Sequence, residues 1–345
     1  MNGRTPYSKC LFIGIRTTGT TSCLRSQALQ RAIPEANWQF IDTDVPFHSA
    51  LRISRSLAFR LRFGPAVGAI NQYVKDRLAA ERYDLIWVDK GVCLWPSVVR
   101  TLRSRATRLV YYTPDTSFLN NQSRFFNQTI GLYDRVVTTK SLELDEYARR
   151  MDRSRLLLLT QTYDRHLHFS RYEFEQKHPE AVLIGLCEPD REECVKRLLD
   201  AEINVRIGGK GWESFLRRHQ RSLFLHFEGD AVFGDHYAEV LGRASVGLGL
   251  LTRRFPELHT TRTFEIPACG TLLASLDNDE VRGFFGPDEA LFFRSYQELA
   301  GRVAQLLANP SELRRITEAG HRRVLSGPFD NDSMVARVLS DIGLM

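Results

Sequence analysis

Long apolar runs are missing from this chain. Hydrophobic residues make up 43% of it, yet they never accumulate into the roughly 20 consecutive apolar positions that a membrane-spanning helix needs. Cysteine is sparse: Cys10, Cys23, Cys93, Cys187, Cys194 and Cys269 form no C-x-x-C pair. That argues against a structural zinc site and leaves reduced, mostly buried thiols in a cytosolic protein as the expectation. The nine histidines join no His/Asp/Glu cluster with metal-ligand spacing, so no tightly held metal is expected. No clean G-x-G-x-x-G follows a strand pattern, which disfavours a dinucleotide-binding dehydrogenase. Gly208-Gly-Lys-Gly-Trp212 lacks the spacing and the Lys-Ser/Thr pair of a Walker loop. The start, Met1 to Cys10, runs directly into a buried-strand pattern and does not read as a signal peptide.

Acidic residues are scarce in the first half. Residues 1–150 carry 22 Lys and Arg against 12 Asp and Glu, a balance of +10, while residues 151–345 stand at −4. A basic first half suits a phosphorylated substrate, an anionic lipid surface or nucleic acid, or it simply solubilises. Nucleic acid is the weakest of these, because the basic residues lack aromatics interleaved on strands. A length of 345 residues exceeds a typical single core and fits two domains.

Short apolar strands alternate with helices, the pattern of an α/β fold with parallel sheets covered on both faces. In the first half, strands read at Cys10–Ile15, Trp38–Ile41, Asp84–Val88, Arg108–Tyr112, Arg135–Thr138 and Arg155–Leu159. In the second half they read at Ala181–Ile184, Asn204–Ile207, Ser245–Leu251, Thr271–Ser275 and Ala290–Phe293. Between them Gln161–Pro179 loses periodicity and reads as a linker. The expected division is a Rossmann-like domain at 1–165, a linker at 166–179, a second Rossmann-like domain at 180–328, and a C-terminal helix at 329–345 crossing back to the first domain. Two doubly wound domains facing a central cleft match the GT-B architecture. Ligands in such sheets sit at the carboxyl ends of strands.

The segment Glu257-Leu-His-Thr-Thr-Arg-Thr-Phe-Glu265 precedes a tight Ala-Cys-Gly270 turn. Arg262 offers paired donors to a phosphate, and Glu265 or Glu257 suits neighbouring sugar hydroxyls. The plain alternative is a helix N-terminus with a capping Thr and acidic first-turn residues.

The second half resembles the CgeB-type, spore maturation protein-like family of GT-B glycosyltransferases. The likeness rests on Gly185 with Arg191, Gly208-Gly-Lys-Gly-Trp212, Gly234-Asp-His-Tyr-Ala238, Thr260-Thr-Arg-Thr-Phe-Glu265, Pro267-Ala-Cys-Gly270 and Gln297-Glu-Leu. It extends more diffusely into the first half through Val88-Asp-Lys-Gly91, Tyr112-Thr-Pro-Asp115 and Tyr133-Asp-Arg. Many retaining GT-B transferases carry two glutamates spaced like Glu257 and Glu265. The resemblance implies that Glu265 holds the ribose hydroxyls and that Glu257 lies on the sugar side.

The expected donor-binding set is Arg262, Glu265, Thr261, Arg191, Lys210, Gly185 and His259. For Arg191 a solvated helix-start arginine, and for Lys210 a plain turn between glycines, are equally open. Trp212 suits base stacking less well than burial. The hydroxyl-rich loop Arg16-Thr17-Thr18-Gly19 is expected to hold a phosphate or the acceptor. Glu257 and Asp115 are the catalytic candidates, with Asp89 a second strand-end carboxylate and an Asx turn the alternative for Asp115. His236 stands at a helix start and His259 reads as a polar lining residue. On a helical wheel over Ser49–Phe63, Ile53, Leu57 and Leu61 share one side, with Arg52, Arg55 and Arg62 opposite and Phe59 and Phe63 among them. A solvated surface helix is the simpler reading, and contact with an anionic membrane or a lipid-linked acceptor the alternative. The sequons at Asn121 and Asn127 read as chance.

Together these features give a cytoplasmic glycosyltransferase, peripheral at most to the membrane, that uses a UDP-, GDP- or TDP-sugar donor and no tightly bound cofactor. Alternatives are a GT-B nucleotide-sugar epimerase or phosphorylase, or a non-catalytic surface or spore maturation protein of the same fold.

Overall fold

The computed structural model describes residues 8–119, 121–252 and 256–344, with Phe59 by its backbone alone. The reading of Met1–Tyr7 and the aromatic role given to Phe59 lie outside the described residues. The chain forms two compact units, one running to Thr160 and resuming at Asn331, the other spanning Gln161–Asp330.

In the first unit six parallel strands are β1 (Lys9–Gly14), β2 (Asn37–Asp42), β3 (Tyr83–Asp89), β4 (Ala106–Thr113), β5 (Arg135–Thr138) and β6 (Leu156–Leu158), in the order β2-β1-β3-β4-β5-β6. Their apolar runs reflect burial on both faces. Successive side chains alternate between two cores. Leu11, Ile13, Ile86, Val88, Leu109, Tyr111 and Val136 enter one. Cys10, Phe12, Leu85, Trp87, Val110, Tyr112 and Val137 enter the other. The second of these faces is closed by the helix Asn331–Asp341, whose Met334, Val335, Val338 and Leu339 are buried there against the helix Thr21–Ala32.

The second unit repeats the plan with β7 (His178–Ile184), β8 (Asn204–Gly208), β9 (Leu225–Phe227), β10 (Ala244–Leu248), β11 (Leu272–Leu276) and β12 (Leu291–Phe293), ordered β12-β11-β10-β7-β8-β9 and all parallel. The strand order reverses beside β1 in the first unit and beside β7 in the second. Loops after β1 and β3, and after β7 and β10, therefore diverge and open a crevice within each unit.

The linker expected at 166–179 is instead part of the second unit. Tyr163 and His168 are buried, the Tyr163 amide donates to Phe329 O at 3.0 Å, and β7 already starts at His178. Polar side chains misled the reading because this strap satisfies them by hydrogen bonds within the unit. Strand β9 was not anticipated: it is a short edge strand with His226 and Phe227 exposed, so it lacks the apolar run of its neighbours.

Candidate active site

The turn after β7 is built around Gly185. Its amide donates to Gly208 O at 2.8 Å, the Cys187 amide donates to Lys210 O at 2.9 Å, and the Trp212 indole donates to Gly185 O at 3.0 Å. Trp212 is fully buried, so it braces the turn from within the core and does not stack on a base. Gly209 has φ +117°, and a Cβ there would lie 2.3 Å from Gly185 O. Only glycine permits this approach. Lys210 itself is exposed.

Two arginines converge on this turn. Arg191 lies in the first turn of the helix Pro189–Asp200, and Arg262 opens the helix Arg262–Ala268 that follows β10. Arg262 Nε donates to Ile184 O and Arg191 Nη1 to Leu186 O, each at 2.9 Å. A Cβ at Gly185 would stand 2.9 Å from Arg191 Nη1 and 3.2 Å from Arg262 Nη2, so the two guanidiniums flank the same small space. Arg191 is 8% exposed, its Nε makes no hydrogen bond, and the Glu188 carboxylate is 3.7 Å away. Burial, and then the facing Arg262, pull the Arg191 guanidinium below its ordinary value. The Glu188 carboxylate offsets part of the repulsion between the two guanidiniums, and a bound anion would offset more.

Glu265 sits in the same helix as Arg262 and is 5% exposed. Its Oε2 accepts from the Tyr237 hydroxyl at 2.7 Å. Burial, then the Glu265 charge, pushes the Tyr237 phenol well above its usual range, so it stays a donor. His168 approaches from the strap: its Nδ1 accepts from the Asp164 amide at 3.1 Å, which leaves the proton on Nε2, 3.9 Å from Glu265 Oε1. Burial draws this imidazole below its ordinary value. Tyr237 lay inside the quoted Gly234–Ala238 motif without a role, and His168 was hidden in the supposed linker.

Other expected donor residues diverge. His259 is 3% exposed; Nε2 accepts from the Gln161 amide at 2.9 Å and Nδ1 donates to Glu280 Oε2 at 2.8 Å. Both nitrogens are thus engaged, and the ring braces the strap against its own unit. Thr261 carries the helix start through its carbonyl, which accepts from Phe264 and Glu265 amides at 2.9 Å. Glu257 is half-buried in the irregular connection before it. His236 is half exposed and 3.4 Å from Glu228.

In the first unit a cavity of about 330 Å³ opens at the ends of β1, β3 and β4, with Ile13, Ile15, Phe47 and Leu94 among its apolar walls and Arg62, Lys90, Asp115 and Asn121 among its polar ones. Asp89 also borders it, but is buried and gripped by both Nε and Nη2 of Arg25 at 2.8 and 2.9 Å. That pairing commits both carboxylate oxygens to Arg25. The sequence reading missed Arg25, which sits on the helix face turned to the sheet. Asp115 is more open and pairs with Lys90 at 3.0 Å. Burial raises its carboxyl, but Lys90, Lys140 and Arg25 together hold it below the ordinary carboxylate range. Thr113 Oγ1 donates to the Asp115 carbonyl and accepts from its amide, so the local turn is closed by the Thr113 hydroxyl and not by an Asx turn of the Asp115 side chain.

The loop after β1 is tied to β2 and to the turn that follows it. The Arg16 amide donates to Asp42 Oδ1 at 3.1 Å and its guanidinium lies 3.6 Å over the Phe40 ring. Thr17 bonds the Asp44 carboxylate, Thr20 caps the following helix, and Gly19 has φ +83°. Thr18 stays exposed. Among the described residues no group of three or more His, Cys, Asp or Glu could hold a metal ion.

Solved structures superpose on this chain across nearly its whole length. Sucrose-phosphate synthase from Thermosynechococcus elongatus superposes with a TM-score of 0.69 at 14% identity, over 96% of this chain and 98% of the other. Anabaena HepE in complex with UDP and glucose gives 0.67 at 13%, over 98% and 100%. A glycosyltransferase from Rickettsia africae gives 0.65 at 8%, over 96% and 97%. The chain has the GT-B fold. Residues 191–339 match the family model described as glycosyl transferase-like, and that segment contains Arg191, Tyr237, Arg262 and Glu265. No curated protein matches the chain by sequence.

Proposed function

We propose that this GT-B protein transfers a glycosyl group from a nucleotide sugar to an acceptor, with Arg191 and Arg262 holding the donor diphosphate. The observation that carries this reading is the pair of guanidiniums flanking Gly185 at the β7/β10 switch point. As the glycosidic bond breaks, negative charge grows on the leaving diphosphate. Preorganised cations in a half-dry site stabilise that charge most effectively. They supply the role a divalent cation has elsewhere, so the proposed transfer is metal-independent.

Glu265 would accept hydrogen bonds from the ribose hydroxyls, held in place by Tyr237. Lys210 would contribute a mobile positive charge, Thr261 a backbone contact, Gly185 the space its missing side chain leaves between the two guanidiniums, and Glu257 the sugar-side carboxylate. The acceptor would occupy the cavity of the first unit. There the Lys90–Asp115 pair would orient a hydroxyl, and the depressed Asp115 carboxyl makes it a weak general base. The order of motifs from Gly185 to Gln297 supports the narrower CgeB-type kinship. The Anabaena HepE structure with UDP-glucose makes UDP-sugars the first donors to test.

The test is donor binding and sugar-nucleotide turnover over a panel of UDP-, GDP- and TDP-sugars. Arg191→Ala and Arg262→Ala should each weaken donor binding by about 10- to 100-fold, as expected for a lost charge-assisted hydrogen bond. EDTA should leave turnover unchanged. Unaltered affinity in both variants would refute the diphosphate assignment, and full inhibition by EDTA would refute metal independence.

A further inference from the structure

The helix Arg52–Leu61 presents its apolar side outward. Leu51, Ile53, Leu57, Leu61 and Phe63 are 82%, 77%, 41%, 66% and 61% exposed. Among the described side chains its inner face holds Ser54, Ala58 and Arg62, all buried. Ser54 Oγ accepts from the Ala66 amide at 2.9 Å, Ala58 meets Ala66 and Val67, and Arg62 bonds Asn121. The small residues bring the helix close to the unit and leave its larger apolar side chains standing out. This reverses the simpler sequence expectation, in which the charged side faces water and the apolar side packs.

Basic residues border this stripe. Arg52 and Arg60 are exposed, Arg55 is half-buried beside His48, and the Arg124 guanidinium lies 5.8 Å from the Phe63 ring. No Asp or Glu occurs between Asp44 and Asp76. A second copy of this surface would set arginine against arginine, which disfavours self-association. Apolar side chains flanked by uncompensated arginines match an anionic lipid surface, where the former enter the headgroup–acyl boundary and the latter meet phosphates.

We propose that the first unit docks on anionic bilayers through residues 51–63. The inference goes beyond donor chemistry and does not depend on it. It has a consequence for the acceptor: Arg62, at the end of this helix, also lines the 330 Å³ cavity. A docked helix would hold that apolar-walled cavity beside the lipid, where an acceptor with an apolar portion is delivered.

The experiment is vesicle flotation with the full chain, comparing phosphatidylcholine alone with phosphatidylcholine containing phosphatidylglycerol. Binding is expected to the anionic vesicles, to fall by about tenfold or more in high salt, and to be weak on the neutral ones. The triple variant Ile53→Ser, Leu57→Ser, Leu61→Ser should lose binding by about tenfold or more while keeping its melting temperature and donor affinity. The proposal is overturned if the parent does not bind anionic vesicles, if it binds neutral ones equally, or if the triple variant binds as tightly as the parent. It is also overturned if the parent is a dimer that the triple substitution dissociates, because the stripe would then be a protein contact.

Discussion

Glu265 shows how a buried carboxylate is kept available for a ligand. Tyr237 satisfies one oxygen, and neutral His168 stands near the other. Tyr237→Phe removes the hydroxyl without changing the ring, leaving Glu265 short of a donor. We expect a stability loss of about 1–3 kcal/mol, measured by urea unfolding, together with weaker donor binding than the parent. Unchanged unfolding and binding would show that the bond is dispensable. Lys177 offers a pH test. Burial lowers its ammonium from 10.5 to about 8, so between those values the unfolded chain holds the proton more tightly than the native one. Stability from this group therefore rises with pH across that window, and the burden is complete below pH 8. Relative to Lys177→Met, the parent should gain stability as pH rises from 8 towards 10; a constant gap in urea midpoints would contradict the assignment. At this scale the sequence disclosed residue type better than residue use. Arg191, Arg262 and Glu265 stood out because arginines and a carboxylate follow strand ends. The commitment of His259 to Gln161 and Glu280, and of Asp89 to Arg25, depends on partners 98, 21 and 64 residues away.

Strands and helices were legible wherever burial is two-sided. The runs in β1, β3, β4 and β7 stood out because alternate side chains feed different cores, so their central positions are all apolar. Edge strand β9 and the strap from Gln161 were not, because their stability comes from backbone pairing and distant polar partners. In the hydroxyl-rich loop after β1, Thr17 and Thr20 close a turn and Thr20 caps a helix, while Thr18 stays exposed. Two element-scale predictions follow from packing. Leu339 is fully buried in the C-terminal helix against the first unit's sheet. Leu339→Ala should cost about 2–5 kcal/mol, seen as a lower urea midpoint; a change within experimental error would mean the helix is not integral to that core. Gly209→Ala places a Cβ 2.3 Å from Gly185 O at φ +117°. It should displace the Gly185 turn and weaken donor binding along with stability, and retained affinity would separate that turn from the donor site.

For the molecule as a whole, the proposed glycosyl transfer would divide its tasks between the two units. Charge follows the same division, +10 over residues 1–150 and −4 over the remainder. In the proposed reading the basic excess would meet an anionic surface or a phosphorylated acceptor, while Arg191 and Arg262 would face the donor. Removing the Arg191–Arg262 juxtaposition relieves a like-charge contact, so the double variant should be as stable as the parent or slightly more so, as expected where function opposes stability. That separates a binding defect from misfolding. The most direct test of the central claim is titration calorimetry of the full chain with UDP-, GDP- and TDP-sugars in the presence of EDTA, for the parent and for Arg191→Ala/Arg262→Ala. The account predicts that at least one nucleotide sugar binds the parent and that the double variant loses more than about 100-fold in affinity without losing its fold. Failure of every donor to bind the parent, or equal affinity in the double variant, would contradict it.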